Sequence, residues 1–249
     1  MKISEIFQAL DKISPFKNQE NWDNSGLQVG NFSDDISNIV LSLDLDNKVI
    51  EESETNSLII THHPLIFGKL KQLDFSKYPA NIIQSLMKKN IKLISLHTNF
   101  DKAILNKYVL ETVLKFNTFE QIDDFVLIAK VDMQIDDFIH HIQKSFNLPF
   151  VKSTNLPQKI SKIALTTGSG ASLLNLVNSQ ADVFLTGDIK YHNAMESQSL
   201  NLGLIDIGHF ESEIFFAESL KPHLEFLNIP IQIINSENPF LYQNMELTK

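Results

Sequence analysis

The stretch Ser57-Leu58-Ile59-Ile60-Thr61-His62-His63-Pro64 decides how this chain is read. An apolar run of strand length ends in two adjacent imidazoles, and Pro64 holds His63 out of the helical region, so the pair sits on extended backbone at a strand tip. Successive side chains on such a backbone point to opposite sides. His62 and His63 are therefore poorly placed to chelate one ion together, but they can serve two ions, or one ion and a substrate. The pair read alone is equally compatible with two surface histidines.

Two further segments carry the same pattern. Ile91-Lys92-Leu93-Ile94-Ser95-Leu96-His97-Thr98-Asn99-Phe100-Asp101 is a strand-like run that opens into a polar tip bearing His97 and Asp101. Near the far end, Leu204-Ile205-Asp206-Ile207 runs into Gly208-His209-Phe210-Glu211-Ser212-Glu213, where an amphipathic helix is expected to begin. His209 and Glu213 are four apart, a spacing that stacks them on one helix face within reach of a common ion, while Glu211 points elsewhere. Imidazole with carboxylate suits zinc, iron, nickel or manganese. Singly, each segment also reads as a solvated loop or a helix-face ion pair. Jointly they place ligand chemistry at the carboxyl ends of apolar runs, where open α/β sheets bind ligands.

Composition narrows the function classes. The chain of 249 residues has no cysteine, which excludes disulfides, thiolate metal sites and a cysteine nucleophile, so any metal must be held by nitrogen and oxygen. Its 21 basic residues are all lysine, against 30 acidic ones, for a net charge of −9. A nucleic-acid partner is disfavoured, because there is no dense cationic face and no arginine to fork a phosphate or read guanine. A small phosphorylated ligand stays compatible with lysines, backbone amides or metal ions. No apolar stretch is long enough for a membrane span, and the N-terminal Met1-Lys2-Ile3-Ser4-Glu5-Ile6-Phe7 reads as an amphipathic helix rather than an apolar signal, so a cytoplasmic location is expected.

Along the chain, helix-like and strand-like segments alternate, which argues for an α/β layered fold of two lobes, mixed sheets flanked by helices, with the site in the cleft between them. Strands are expected around 39–44, 58–60, 93–95, 125–128, 162–165, 183–185 and 229–233, and helices around 47–56, 79–89 and 102–116. Because the candidate ligands fall at 62, 63 and 101 and again at 209 and 213, the chain must return to its first lobe late. The expected division is a discontinuous metal-binding lobe, 1–119 with 206–249, and a second lobe, 120–205. Gly168-Ser169-Gly170-Ala171-Ser172 follows a strand and opens a helix; it reads either as an anion-binding turn or as a plain connection. The pair His140-His141 lies on a helical, surface-like segment, and His223 follows Pro222 in another.

Five stretches carry a resemblance that spans essentially the whole chain: Asn21-Trp22-Asp23-Asn24-Ser25-Gly26-Leu27-Gln28-Val29-Gly30, Thr61-His62-His63-Pro64-Leu65, Ser95 through Asp101, Thr186-Gly187-Asp188-Ile189-Lys190-Tyr191-His192-Asn193-Ala194, and Gly208-His209 followed by Glu213. In these motifs and their order the chain resembles the YbgI-like dinuclear-metal-centre proteins, the Nif3-like GTP cyclohydrolase 1 type 2 homologues. The resemblance implies that His62, His63, Asp101, His209 and Glu213 ligate two divalent ions per chain, zinc or iron foremost, with Glu213, Asp101 or a solvent pair between them. It implies that His97 and His192 line the same cleft as proton-moving catalytic residues; the alternative for Asp188, four before His192, is a helix cap. It further implies a hydrolase that uses a metal-bridging hydroxide to open the imidazole ring of GTP, and self-association into a toroidal homohexamer. Two alternatives stand beside that activity: a non-catalytic, metal-stabilised ring acting in binding or scaffolding, and a di-metal phosphoesterase.

Overall fold

The computed structural model describes residues 1–242, and its architecture follows from buried strands. In β3 (Leu58–Thr61) all four residues are buried, as they are in β2 (Ile39–Ser42) and β4 (Lys92–Ser95). Strands buried on both faces read as continuous apolar runs and pair in parallel. Here β2, β3 and β4 are parallel neighbours, with β11 (Ile231–Ile233) parallel on the outer side of β2 and β1 (Gly26–Val29) antiparallel on the outer side of β4. Leu58, Ile59 and Ile60 are 0% exposed, each contributing about 1.5–3 kcal/mol relative to an exposed position.

The second sheet takes the strands between Phe119 and Asp206. Its order is β5 (Phe119–Gln121), β6 (Leu127–Gln134), β8 (Lys159–Leu165), β9 (Val183–Thr186), β10 (Gly203–Asp206) and β7 (Lys152–Ser153). The inner strands β8, β9 and β10 are parallel and the others antiparallel. The protein is thus an α/β fold of two mixed sheets flanked by helices. One contiguous core joins them, from Ile3, Ile6 and Leu10 on the helix Ile3–Ile13, through Ile60 and Ile94, to Ile163 and Leu185 of the second sheet.

Several elements depart from the sequence expectation for physical reasons. The helix expected over 102–116 begins at Thr98 and runs over 98–113. Its start is fixed from a distance, because the Asp23 carboxylate accepts the Thr98 backbone N–H at 3.1 Å and also the Thr98 hydroxyl, as an N-cap side chain does. Its segments Asp101–Leu105 and Val109–Val113 are wound as π-helix, a form found often at functional sites. After Gly208 the expected amphipathic helix is two short pieces, His209–Glu213 and Phe216–Leu220. The helix Ile135–Phe146 carries His140 exposed, while His141 Nε2 is 2.9 Å from the Leu114 carbonyl at the end of a neighbouring helix, a structural role. Among the described residues no helix is long and apolar enough to cross a membrane.

Candidate metal centre

Strand register assembles the site. In the parallel pairs β2–β3 and β3–β4, Ser42 stands opposite Thr61 and Thr61 opposite Ser95. Continued past the strand ends, that register sets Asp44 beside His63, Leu96 beside His62 and His97 beside His63. The contacts follow: His63 Nδ1 lies 2.7 Å from Asp44 Oδ1, and His62 Nδ1 lies 2.8 Å from the Leu96 carbonyl. In the second sheet Asp206 stands opposite Thr186. The same extension brings Asp188 next to the Gly208 turn, where its Oδ2 lies 2.7 Å from His209 Nδ1. His97 Nδ1 is held likewise, 2.8 Å from Asp23 Oδ1.

Each of these four imidazoles has an acceptor at Nδ1, so in the neutral ring Nδ1 carries the proton and Nε2 is left as a lone pair. The Nε2 atoms converge. His63 Nε2 and His209 Nε2 are 3.2 Å apart, and Glu213 Oε2 is 3.1 Å from the first and 3.0 Å from the second. On the other side of the same carboxylate, Glu213 Oε1 is 3.7 Å from His62 Nε2, which lies 3.4 Å from Asp101 Oδ1. His62 Nε2, Asp101 Oδ1 and Glu213 Oε2 are buried without a hydrogen-bond partner. Converging, desolvated acceptors are costly unless a positive charge, a proton or a metal ion, lies among them. Two three-residue groupings could hold an ion, His62–Asp101–Glu213 and His63–His209–Glu213, and Glu213 belongs to both through different oxygens. A third, His62–His63–His97, shares the same space. The donor set is nitrogen and oxygen only, which fits zinc or iron.

The electrostatics agree with that fit. Burial and the Glu213 charge push the Asp101 carboxyl well above its usual range. Burial acts upward on Glu213 too, yet the imidazoles of His62, His209 and His63 hold it well below the normal carboxylate range. Burial drives His62 down to about 4 despite Glu213. For His63, burial is outweighed by Asp44 and Glu213, which raise it well above 6.5. In His209 burial is again outweighed, and Glu213 and Asp188 lift it to about 9. Without an ion, His209 keeps a proton on the lone pair an ion would need. Uptake should release that proton below about 9, so apparent affinity should rise about tenfold per pH unit for each proton displaced and level off above that value. Competition titrations against a metal indicator across this range check it; a flat profile would show that no protonated ligand is displaced.

Glycines make room for the cluster. Gly168 has φ +63°, and a Cβ there would overlap Glu213 Oε1. A Cβ on Gly187 would lie 2.6 Å from both the Gly168 carbonyl and the His209 nitrogen. The Gly168–Gly170 turn is thus a close-packed support for Glu213, reinforced by a hydrogen bond of 3.0 Å from the Gly168 N–H to the Ser212 hydroxyl.

The structure brings His62, His63, Asp101, His209 and Glu213 together and sets His97 on the wall of a cavity of about 460 Å³ that opens on them. It does not bring His192 there. His192 is exposed on the first turn of the helix Tyr191–Ser199, against the Tyr191 ring, and lines neither cavity that touches the cluster. Asp188, whose alternative reading is a helix cap, instead holds His209. Asp44 and Asp23 escaped the sequence reading, although Asp44 follows an apolar run as His62 and His63 do. Replacing Asp44 or Asp188 by Ala should weaken metal affinity by about 10–100-fold through loss of ligand orientation. Calorimetry on both variants, beside an unaffected His140→Ala, checks this.

Fold and site together define the class: a two-sheet α/β protein whose strand tips meet on a buried cluster of imidazoles and carboxylates able to hold metal ions. The chain belongs to the Duf34/NIF3 (NGG1p interacting factor 3) family, whose profile matches residues 1–239. Over 245 residues it is 45% identical to the GTP cyclohydrolase 1 type 2 homolog of Campylobacter jejuni, covering 97% of this chain and 100% of that protein. It is 38% identical to the GTP cyclohydrolase 1 type 2 of Helicobacter pylori, with 95% and 97% covered. Among solved structures, Staphylococcus aureus protein SA1388 superposes with a TM-score of 0.86 at 27% identity, covering 98% of this chain and 99% of that one.

Proposed function

We propose that this chain is a dinuclear metal-dependent hydrolase with GTP cyclohydrolase 1 type 2-like activity. The observation that carries this reading is the position of Glu213, whose two carboxylate oxygens face separate ligand groups across one buried point beside an open cavity. The names of the Campylobacter and Helicobacter relatives support the substrate. Bound there, two divalent ions supply Lewis acidity and an attacking water of lowered pKa. The chain's own residues orient and move protons. His62, His63 and His209 are locked by Leu96, Asp44 and Asp188 behind them, and His97, braced by Asp23, presents Nε2 to the cavity. From that position the His97 Nε2 lone pair accepts a proton from the attacking water and returns it to the departing ring nitrogen. Burial works against the Asp23 carboxyl's ionisation, but hydrogen bonds from His97 and Thr98 and the His97 charge keep it ionised, as an orienting carboxylate must be.

The test is a screen of metal-loaded protein against GTP, other nucleotides and p-nitrophenyl phosphate, repeated with His62→Ala. Opening of the purine imidazole ring is expected with GTP, falling by about 100-fold or more in the variant. Activity that survives the substitution belongs to a contaminant. Turnover of p-nitrophenyl phosphate alone would replace the reaction class by phosphoester hydrolysis. A protein that holds two ions and turns over nothing would favour the scaffold reading.

A further inference from the structure

The cavity beside the ligand cluster has an uneven chemistry. On one side stand Trp22 and Phe67, 59% and 54% exposed, with ring centroids 5.9 Å apart and planes tilted by 49°. His97 closes the corner between them, its ring edge-on to both at 6.0 Å. Large aromatic faces left this open beside a buried polar cluster are surface that a ligand can cover.

Charge points the same way. The acidic residues lining the cavity are Glu20, Asp101 and Glu213, and no lysine lines it among the described residues. Near the wall, Lys102 is held by Glu20 at 2.6 Å and Asp124 at 3.1 Å, with its ammonium 4.8 Å above the Phe125 ring. That cation is already neutralised. With His63 and His209 given over to metal, a triphosphate tail would therefore find no lysine in this cavity among the described residues, whereas a flat uncharged ring would find an aromatic corner.

We propose that Trp22 and Phe67 form the recognition platform of this site, and that its ligand is a flat heteroaromatic ring held by stacking, its phosphates contributing little to affinity from the protein side chains. The inference rests on the proposed function for the location of the site alone. It deepens that reading by assigning affinity to the ring rather than to the phosphates.

Trp22 is the single tryptophan of the chain, so its fluorescence reports on this corner directly. Metal-loaded protein is titrated with guanosine, GTP and ribose 5-phosphate, by calorimetry and by Trp22 emission. Guanosine should quench Trp22 and bind within about tenfold of GTP, while ribose 5-phosphate binds far more weakly. Trp22→Ala and Phe67→Ala should each weaken guanosine binding by about tenfold or more, and Trp22→Phe should restore most of it. Ribose 5-phosphate binding as tightly as guanosine would overturn the proposal, as would wild-type guanosine affinity in Trp22→Ala. Since binding is read without turnover, guanosine binding with no catalysis would sink the hydrolase reading alone. Ring opening of GTP in Trp22→Ala at unchanged KM would sink this inference alone.

Discussion

Glu213→Gln should sharply weaken metal binding at both candidate groupings, whereas Glu211→Gln should leave metal content as it is. The two residues are chemically identical and two apart, and both changes remove one negative charge, so non-specific electrostatics cannot separate them. Geometry does. Glu213 is 3% exposed, with one oxygen facing His62 and the other facing His63 and His209. Glu211 turns away and accepts hydrogen bonds from Asn238 and Tyr242 at 2.8 Å each. A glutamine at 213 keeps the volume and removes the anion on which both ion groupings rely, so affinity should fall by about 100-fold or more, beyond the loss expected for an orienting residue. Elemental analysis and calorimetric titration of the two variants decide it. Equal affinity would mean that the His209–Glu213 face is not a metal face.

The second large effect is expected at a residue that donates no ligand. Gly168→Ala places a side chain at φ +63° and drives its Cβ into the Glu213 carboxylate. The backbone conformation alone costs about 1–2 kcal/mol, and the displaced carboxylate should take the metal with it. Gly68→Ala is the control, because a Cβ there meets nothing within 4 Å. Thermal unfolding and metal content together separate the contributions: Gly168→Ala should lower both and Gly68→Ala neither. A Gly168→Ala protein with wild-type metal content would show that Glu213 has room to move.

The sequence shows the site more plainly than it shows the scaffold, and the reasons are local. β3 and β4 are legible because strands buried on both faces must be uninterrupted apolar runs. Gly26-Leu27-Gln28-Val29 is an edge strand, three of its four residues only half-buried, and it carries no such run. β5 and β7 are edge strands of three and two residues, too short for any period to show. The early start of the helix over 98–113 depends on Asp23, more than seventy residues away, which no local pattern encodes. Among the site residues, His62, His63, Asp101, His209 and Glu213 stand out by type and spacing. The carboxylates behind the rings do not, since Asp44 and Asp188 become partners of His63 and His209 only through strand register. His192 shows the converse: a histidine within a matching motif that the fold leaves exposed on the first turn of a helix.

The acceptors behind the imidazoles have one more consequence. Leu96, Asp44, Asp188 and Asp23 hold their rings through hydrogen bonds that need no ion, and the strands that carry them are sealed by the apolar core. A small zinc domain makes its fold out of its metal and collapses when the metal is withdrawn. Here the socket is cast before anything is placed in it. Chelation should therefore unload the protein without dissolving it, and an ion held there would be an exchangeable part, free to differ with supply while the surrounding architecture stays the same.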